Sequence, residues 1–292
     1  MDISVIIINY NTLTMTKECI ASIFQYTSNV EFEIIVVDNN SCDGSANALQ
    51  KLYPKIKVIS LKENIGFGRA NNVGVKEACG KYIFLLNSDT LLKGNALSSF
   101  FTFAEKQTDK LSIGVIGGIL ENKDGIQCES FDHFPTAKSE LLKLFANHKS
   151  SLEYVESKLI GNKDSSYFQV DYVCGADMFM EKSLFQKIEG FDPRFFMYYE
   201  ESDMQYRLLT LGKKNYVLND IHIMHYGGGS EKKQLSQRKR TVVSKSCLLY
   251  MKKHSSYYKV FKLMFVCLEI SKLILKGKLH EYKDYISTIN SI

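Results

Sequence analysis

Proline is nearly absent from this chain, with three in 292 residues, which excludes a collagen-like protein. The seven cysteines (Cys19, Cys42, Cys79, Cys128, Cys174, Cys247, Cys267) are odd in number, scattered and never spaced C-x-x-C. They offer neither a disulfide framework nor a zinc knuckle, and they point to a reducing compartment. No basic leader precedes Ile3–Ile8, and that apolar run is too short for a signal segment. The most apolar window, Val260–Leu275, is broken by Lys262, Glu269 and Lys272, which argues against a spanning helix. Internal repeats and low-complexity tracts are also missing. What is present is the makeup of a globular protein: 45% hydrophobic and 24% charged residues, enough for a sizeable core in one large domain or two modest ones. The expected location is the cytoplasm, peripheral on the inner face of the plasma membrane if a membrane is touched at all.

Charge is unevenly spread. The net +5 combines 14 Lys and Arg against three acids in residues 232–292 (+11) with 23 bases against 29 acids in residues 1–231 (−6). A basic end on an acidic body calls for an anionic partner, such as a membrane surface, a nucleic acid or a phosphorylated ligand.

The first hundred residues alternate between two periods. Ile3–Asn9, Phe32–Asp38, Lys57–Leu61 and Tyr82–Leu86 read as buried strands. Helices run from Thr14 to about Tyr26, from Asp43 to about Leu52, and on to about Ala78. This alternation predicts right-handed βαβ units and a mainly parallel sheet, with ligands beyond the carboxyl ends of the strands. Beyond Ser112 the pattern is mixed. Ile113–Ile119 and Gln169–Val173 read as strands, Asn147–Ser166 as a variable excursion, and Glu200–Leu211 as a helix stopped by Gly212. Leu235–Lys253 and Tyr257–Lys276 read as basic amphipathic helices.

Five constellations carry chemistry. Asp38, ending a strand before Asn-Asn-Ser-Cys-Asp-Gly-Ser, suits a ribose hydroxyl or a base imide; the alternative is a plain turn. Asn64-Ile-Gly-Phe-Gly-Arg-Ala-Asn-Asn-Val-Gly74 opens a helix whose N-terminus attracts phosphate, or it merely packs closely on the sheet. Asn87-Ser88-Asp89 offers Asp89 as an oxygen ligand for Mg2+ or Mn2+, or as a cap. Glu200, Glu201 and Asp203 follow an aromatic run, where desolvation and like charge raise a carboxyl toward a useful base. The alternative is first-turn acids with an Asp203–Arg207 pair. Finally, His225 precedes three glycines, and a lone histidine is more often structural than a ligand.

Taken in chain order, Ser4–Asn11, Val37–Ser45, Asn64–Gly74, Leu86–Thr90, Cys174–Asp177, Gly190–Asp192, Phe196–Asp203 and His225–Ser230 resemble the family 2 glycosyltransferases, above all their bacterial rhamnosyltransferase-like branch. The resemblance implies an α/β GT-A fold over residues 1–231, with a nucleotide-binding half to about residue 110 and an acceptor half after it. The basic helical extension 232–292 lies outside it. It also implies an inverting transfer from a nucleotide diphosphate sugar to a glycan or lipid-linked saccharide. On that basis Tyr10, Asn11, Asp38, Asn64, Gly66, Arg69, Asn87 and Ser88 bind donor, and Asp89 and His225 hold Mg2+ or Mn2+. Gly175, Ala176, Asp177 and Glu200 meet the acceptor, and Glu201, then Asp203, serves as base. Asn87 replaces the first acid of the family's D-x-D motif, and Glu201 stands where the family has Asp.

Two rivals stay open: a sugar-nucleotide-forming nucleotidyltransferase, and a non-catalytic sugar-nucleotide-binding module. The basic extension either docks on anionic lipid or packs Leu248, Leu249, Tyr250, Phe261, Leu263 and Phe265 against the body or a second copy in a homodimer. Nucleic acid is not expected, since no binding motif accompanies the charge.

Overall fold

A computed structural model describes residues 1–108, 110–145, 150–227, 237–275 and 289. The alternation expected in the first hundred residues is β1 (Ile3–Asn9), α1 (Leu13–Tyr26), β2 (Phe32–Asp38), α2 (Ser45–Leu52), β3 (Lys57–Ser60), α3 (Phe67–Lys76) and β4 (Tyr82–Asn87). There follow β5 (Thr90–Leu92), α4 (Ala96–Gln107), β6 (Ile113–Glu121), β7 (Phe131–Asp132), α5 (Ala137–Phe145) and α6 (Ser150–Gly161). The chain continues through β8 (Tyr167–Val170), β9 (Tyr172–Val173), β10 (Asp177–Glu181), α7 (Lys182–Lys187), α8 (Glu200–Thr210) and β11 (Lys214–His225). It then enters α9 (Gln237–His254) and α10 (Tyr258–Leu275).

Among the described residues the main sheet has nine strands in the order β3-β2-β1-β4-β10-β6-β11-β5, with β8 also on β11. The β-branched run of β1 pairs in parallel with both β2 and β4, and it is buried on both faces. Ile3, Val5 and Ile7 face α1 and join Cys19, Ile20 and Ile23, while Ile6 faces α3 and joins Val75 and Ala78. Each such aliphatic side chain stabilises the fold by roughly 1.5–3 kcal/mol on burial. The expected mainly parallel sheet with a mixed second half is found: β3-β2-β1-β4 are parallel, and β6 and β11 pair in parallel as well. In that second half β10 runs antiparallel between β4 and β6, and β5 and β8 lie antiparallel on β11. The reversal brings the loop before β10 to the carboxyl end of β4.

The expected excursion at Asn147–Ser166 is instead largely helical. Residues 146–149 lie outside the described set, but α6 buries Val155 and sets Tyr154 edge-on to Phe131. One well-buried side chain per turn suffices to hold a surface helix whose sequence is otherwise polar.

The C-terminal helices form a third core. Cys247, Leu248, Leu249, Tyr250 and Met251 of α9 and Phe261, Phe265 and Leu273 of α10 pack with Phe195, alongside Leu141 and Leu144 of α5. Of the residues expected to pack in the extension, Leu263 points outward, 67% exposed. Positions 235–236 and 276, the ends of the two expected basic helices, lie outside the described residues.

Candidate active site

The carboxyl ends of β1, β2 and β4 converge as α/β topology requires. Asn9, wholly buried at the end of β1, organises the first two. Its Nδ2 donates to Asp38 Oδ1 at 2.6 Å and to Ser41 Oγ at 2.9 Å, and its Oδ1 accepts from Thr12 and Thr16 at 2.9 and 2.7 Å. Asp38 Oδ2 accepts the Ser41 N–H at 3.1 Å, so both carboxylate oxygens are held from beneath. Asn11 and Asn40 take left-handed backbone angles, φ 56° and 66°, which asparagine tolerates better than most residues. Asn11 Oδ1 then accepts the Cys42 N–H at 2.8 Å, tying the β1 loop to the β2 loop. Tyr10 stands at the rim, 38% exposed.

Asn39 extends this lattice toward α3. Its Oδ1 accepts the Ile65 N–H at 3.0 Å, and its Nδ2 donates to Asn64 Oδ1 at 3.0 Å. Gly66 sits at φ 88°, and a Cβ there would lie 2.1 Å from the Phe196 carbonyl oxygen. The adjacent Phe67 N–H donates to that same carbonyl at 3.0 Å, so the donor-side loop and the aromatic loop meet backbone to backbone. Arg69 departs from the expected donor set. It lines a separate groove of about 590 Å³ between α3 and Phe185–Pro193, and its buried Nε has no hydrogen-bond partner there.

Asp89 and His225 come together as the sequence suggested. The antiparallel register Thr90↔His225 sets them side by side, with His225 Nε2 3.3 Å from Asp89 Oδ1, and the Tyr226 N–H donates to the Asp89 carbonyl at 2.9 Å. One carboxylate and one imidazole fit a divalent cation that draws its other ligands from substrate oxygens and water. No third His, Cys, Asp or Glu joins them among the described residues. Ser88 Oγ lies 3.0 Å from Thr12 Oγ1, linking this corner to the Asn9 lattice. Gly228, Gly229 and Ser230 lie outside the described residues.

The residues expected to meet the acceptor lie in the loop before β10 and at the start of α8. The Asn87 N–H donates to the Ala176 carbonyl at 2.9 Å, and a Cβ on Gly175 would lie 3.6 Å from Glu201 Cγ. Thus Asn87, Gly175 and Glu201 form one contiguous wall. Tyr198 and Tyr199, at φ 70° and 66°, turn the chain sharply into α8. Two adjacent bulky residues in that region store strain that the surroundings must hold. Tyr199 is held by its hydroxyl, which donates to Glu140 Oε2 at 2.5 Å, and by its ring against Tyr250. The Ser246 hydroxyl donates to the Met197 carbonyl at 2.8 Å.

The three acids of α8 have different fates. Burial pushes both Glu200 and Glu201 above the usual carboxylate range, and the neighbouring Glu201 charge drives Glu200 further. Glu200 is buried, with Oε2 unpartnered, whereas Glu201 keeps access to the cleft. Asp203, the second base candidate, has no exposed surface and is fully committed elsewhere. It pairs with Arg207 at 2.9 Å, with Lys253, and with His254 at 2.8 Å. Burial alone would raise its carboxyl, but the His254 hydrogen bond and the two cations hold it below the usual range. Asp203 is therefore a helix anchor in this structure. Ala176 and Asp177, expected to meet the acceptor, are also turned inward. Asp177 is wholly buried, its Oδ2 accepts the Gly118 N–H at 2.6 Å, and burial raises its carboxyl well above the ordinary value. All seven cysteines are free thiols, and burial pushes Cys174, next to Gly175, up to about 12.

The residues that sequence reading missed lie one layer back. Asn9, Asn39 and Ser41 stood within the quoted motifs and Thr12 just after the first, where strand-end asparagines and hydroxyls were the only signal. Lys253 and His254 had none, because nothing in a basic helix names its acidic partner.

The Glycosyl transferase family 2 profile matches residues 4–188. A glycosyltransferase of Haemophilus influenzae described as uncharacterized is 32% identical over 188 residues, 58% of this chain and 58% of its own length. The N-acetylglucosaminyl-diphospho-decaprenol L-rhamnosyltransferase of Mycobacterium tuberculosis is 22% identical over 209 residues, 66% of each chain. Among solved structures, Staphylococcus aureus TarS 1–349 in complex with UDP superposes with a TM-score of 0.59 at 18% identity, over 99% of this chain and 79% of that one.

Proposed function

The chain belongs to glycosyl transferase family 2 and has the GT-A fold, and from that premise we propose an inverting sugar transfer. The donor is a nucleotide diphosphate sugar, carrying rhamnose or another hexose. The acceptor is a glycan or a lipid-linked saccharide in surface polysaccharide synthesis. The mycobacterial relative, a rhamnosyltransferase acting on N-acetylglucosaminyl-diphospho-decaprenol, supports a rhamnosyl donor and a diphospho-polyprenol acceptor, and the UDP held by TarS supports a nucleotide site on this fold. We place the reaction in the cytoplasm, at the inner face of the plasma membrane where the acceptor is lipid-linked.

One observation carries the chemistry: the contiguous wall from Asn87 through Gly175 to Glu201, with the Asp89–His225 pair at its donor end. Glu201 is the base. Burial raises its carboxyl, so the carboxylate is basic enough to take a proton from an acceptor hydroxyl as it attacks the anomeric carbon. Beside it, burial and then the Glu201 charge push the Glu200 carboxyl well above the usual range. Asp38 receives the ribose or base, with Tyr10 and Asn11 at the rim. Asp89 and His225 would hold Mg2+ or Mn2+, which offsets the negative charge developing on a departing nucleotide diphosphate. Cys174 remains a neutral thiol, so the loop offers no thiolate for a double displacement.

The test is a panel of nucleotide sugars with Mg2+ or Mn2+ and candidate acceptors, read as nucleoside diphosphate release and product anomeric configuration. Acceptor-dependent release with inversion, abolished in Glu201→Gln, is expected. Pyrophosphate release would replace this reading with a nucleotidyltransferase, and donor binding without turnover with a binding module.

A further inference from the structure

Helix α10 is apolar on two opposite sides. One side buries Phe261, Phe265 and Leu273 against α5 and α9. The opposite side bears Val260, Leu263, Met264, Ile274 and Leu275, which are 59%, 67%, 47%, 57% and 86% exposed, with Tyr257 at 75% just before the helix. Scattered exposed apolar residues need no explanation, but these recur at helical spacing along one face of an 18-residue helix, about 27 Å long.

Among the described residues, the charges at the margin of this ridge are lysines. Lys259 is exposed at its edge and Lys262 is half-buried beside it, while Lys272 pairs with Glu269 at 3.9 Å. Glu269, the one acid of α10, is turned under the helix and 5% exposed. We propose that the outward face of α10 docks on an anionic lipid bilayer, lying in the interface with the ridge among the acyl chains and the lysines at headgroup level. No helix among the described residues is long and apolar enough to cross a membrane, so the helix lies along the surface. A second copy fits the charge less well. A two-fold contact through this ridge sets lysine margins against each other, and α10 exposes no acid to pair with them. The other side of α10 shares its core with α9, which holds Asp203, so docking brings the cleft to the bilayer that carries a lipid-linked acceptor. Only that last link rests on the glycosyltransferase reading.

Cosedimentation of the full chain with phosphatidylcholine vesicles, with and without phosphatidylglycerol, tests the proposal. Binding to the anionic vesicles that weakens with salt is expected. The exposed-site double variant Leu263→Asp with Ile274→Asp should lower the partition coefficient about tenfold or more while leaving the melting temperature unchanged. Lys259→Glu with Lys262→Glu should erase the preference for phosphatidylglycerol. Absence of binding at low salt, or undiminished binding by the double variant, overturns the proposal. So does a concentration-dependent dimer in light scattering that the double variant abolishes without any vesicle binding, since a second copy then occupies the face. Glu201→Gln should still bind vesicles. Full activity in that variant would overturn the catalytic reading and leave the lipid result standing.

Discussion

His254 Nε2 lies 2.8 Å from Asp203 Oδ1, joining the penultimate described helix to the helix that begins with Glu200 and Glu201. Lys253 reinforces this joint. It pairs with Asp203 and, at 2.6 Å, with Asp192, and so staples both ends of the loop that carries the two left-handed tyrosines. A helix beyond the family match thus supplies the countercharges that hold the proposed base in place.

Lys253→Met should cost about 2 kcal/mol of stability. That is less than the 3–5 kcal/mol expected for a buried charge stripped of all partners, because Arg207 and His254 remain on Asp203. Turnover should fall further than donor affinity, since α8 shifts and the Asp38 pocket does not. Lys253→Arg should restore much of it. Denaturant melts and a split of kcat from donor KM check this; equal loss in both would refute it.

Acid should loosen the same joint. Asp192 and Asp203 are both held below the ordinary carboxylate range in the fold, chiefly by hydrogen bonds and cations that outweigh burial. Groups with depressed folded pKa values stabilise fully above their unfolded values, near 3.9, and that stability is lost as pH falls below them. Melting temperature should drop steeply below about pH 4, and Lys253→Met should flatten the drop.

Glu201 titrates in the opposite sense. Its raised carboxyl must be ionised to act as base, so kcat should fall as pH drops through a value above the usual glutamate pKa of about 4.3. A pH–rate profile in which the acid limb sits at or below that value would remove burial as the source of basicity.

Asp177 should be replaceable by its neutral analogue. Burial raises its carboxyl well above the ordinary range, and its side chain's one hydrogen bond accepts the Gly118 N–H, a role that an asparagine carbonyl can fill. Asp177→Asn is expected to change stability by less than about 1 kcal/mol and to leave acceptor KM intact. A large rise in KM would return Asp177 to the acceptor pocket.

Gly66→Ala should do severe damage. The added methyl would meet the Phe196 carbonyl at 2.1 Å, and the φ of 88° is itself unfavourable for alanine. A loss of roughly 3 kcal/mol or more, with the Phe67–Phe196 hydrogen bond broken, is expected in thermal melts.

The parts legible in the sequence are those that one segment specifies alone. β1 and β2 begin and end where their β-branched runs do, and Gly212, at φ 75°, stops α8 as its position suggested. The residues alone named Asp89 and His225 separately and only the family resemblance put them together, a pairing whose physical cause is the β5–β11 register. The i,i+4 spacing announced the Asp203–Arg207 pair, but nothing local announced that Lys253 and His254 of α9 also claim Asp203. Asp177 ended up inside because β10 runs antiparallel between β4 and β6, a topology that no local pattern announced. The helix α6 was hidden because only Tyr154, Val155 and Leu159 are seen packing on the core, amid an otherwise polar sequence.

Asn9 uses every hydrogen-bonding site its side chain has, giving two protons and receiving two. Its amide therefore has one orientation and no chemical synonym. Aspartate would set a second carboxylate against Asp38, glutamine is too long, and serine or alanine would leave several strand-end groups unpaired in the interior. The corner at the carboxyl ends of β1 and β2 is thus fixed from within, by a residue with no exposed surface.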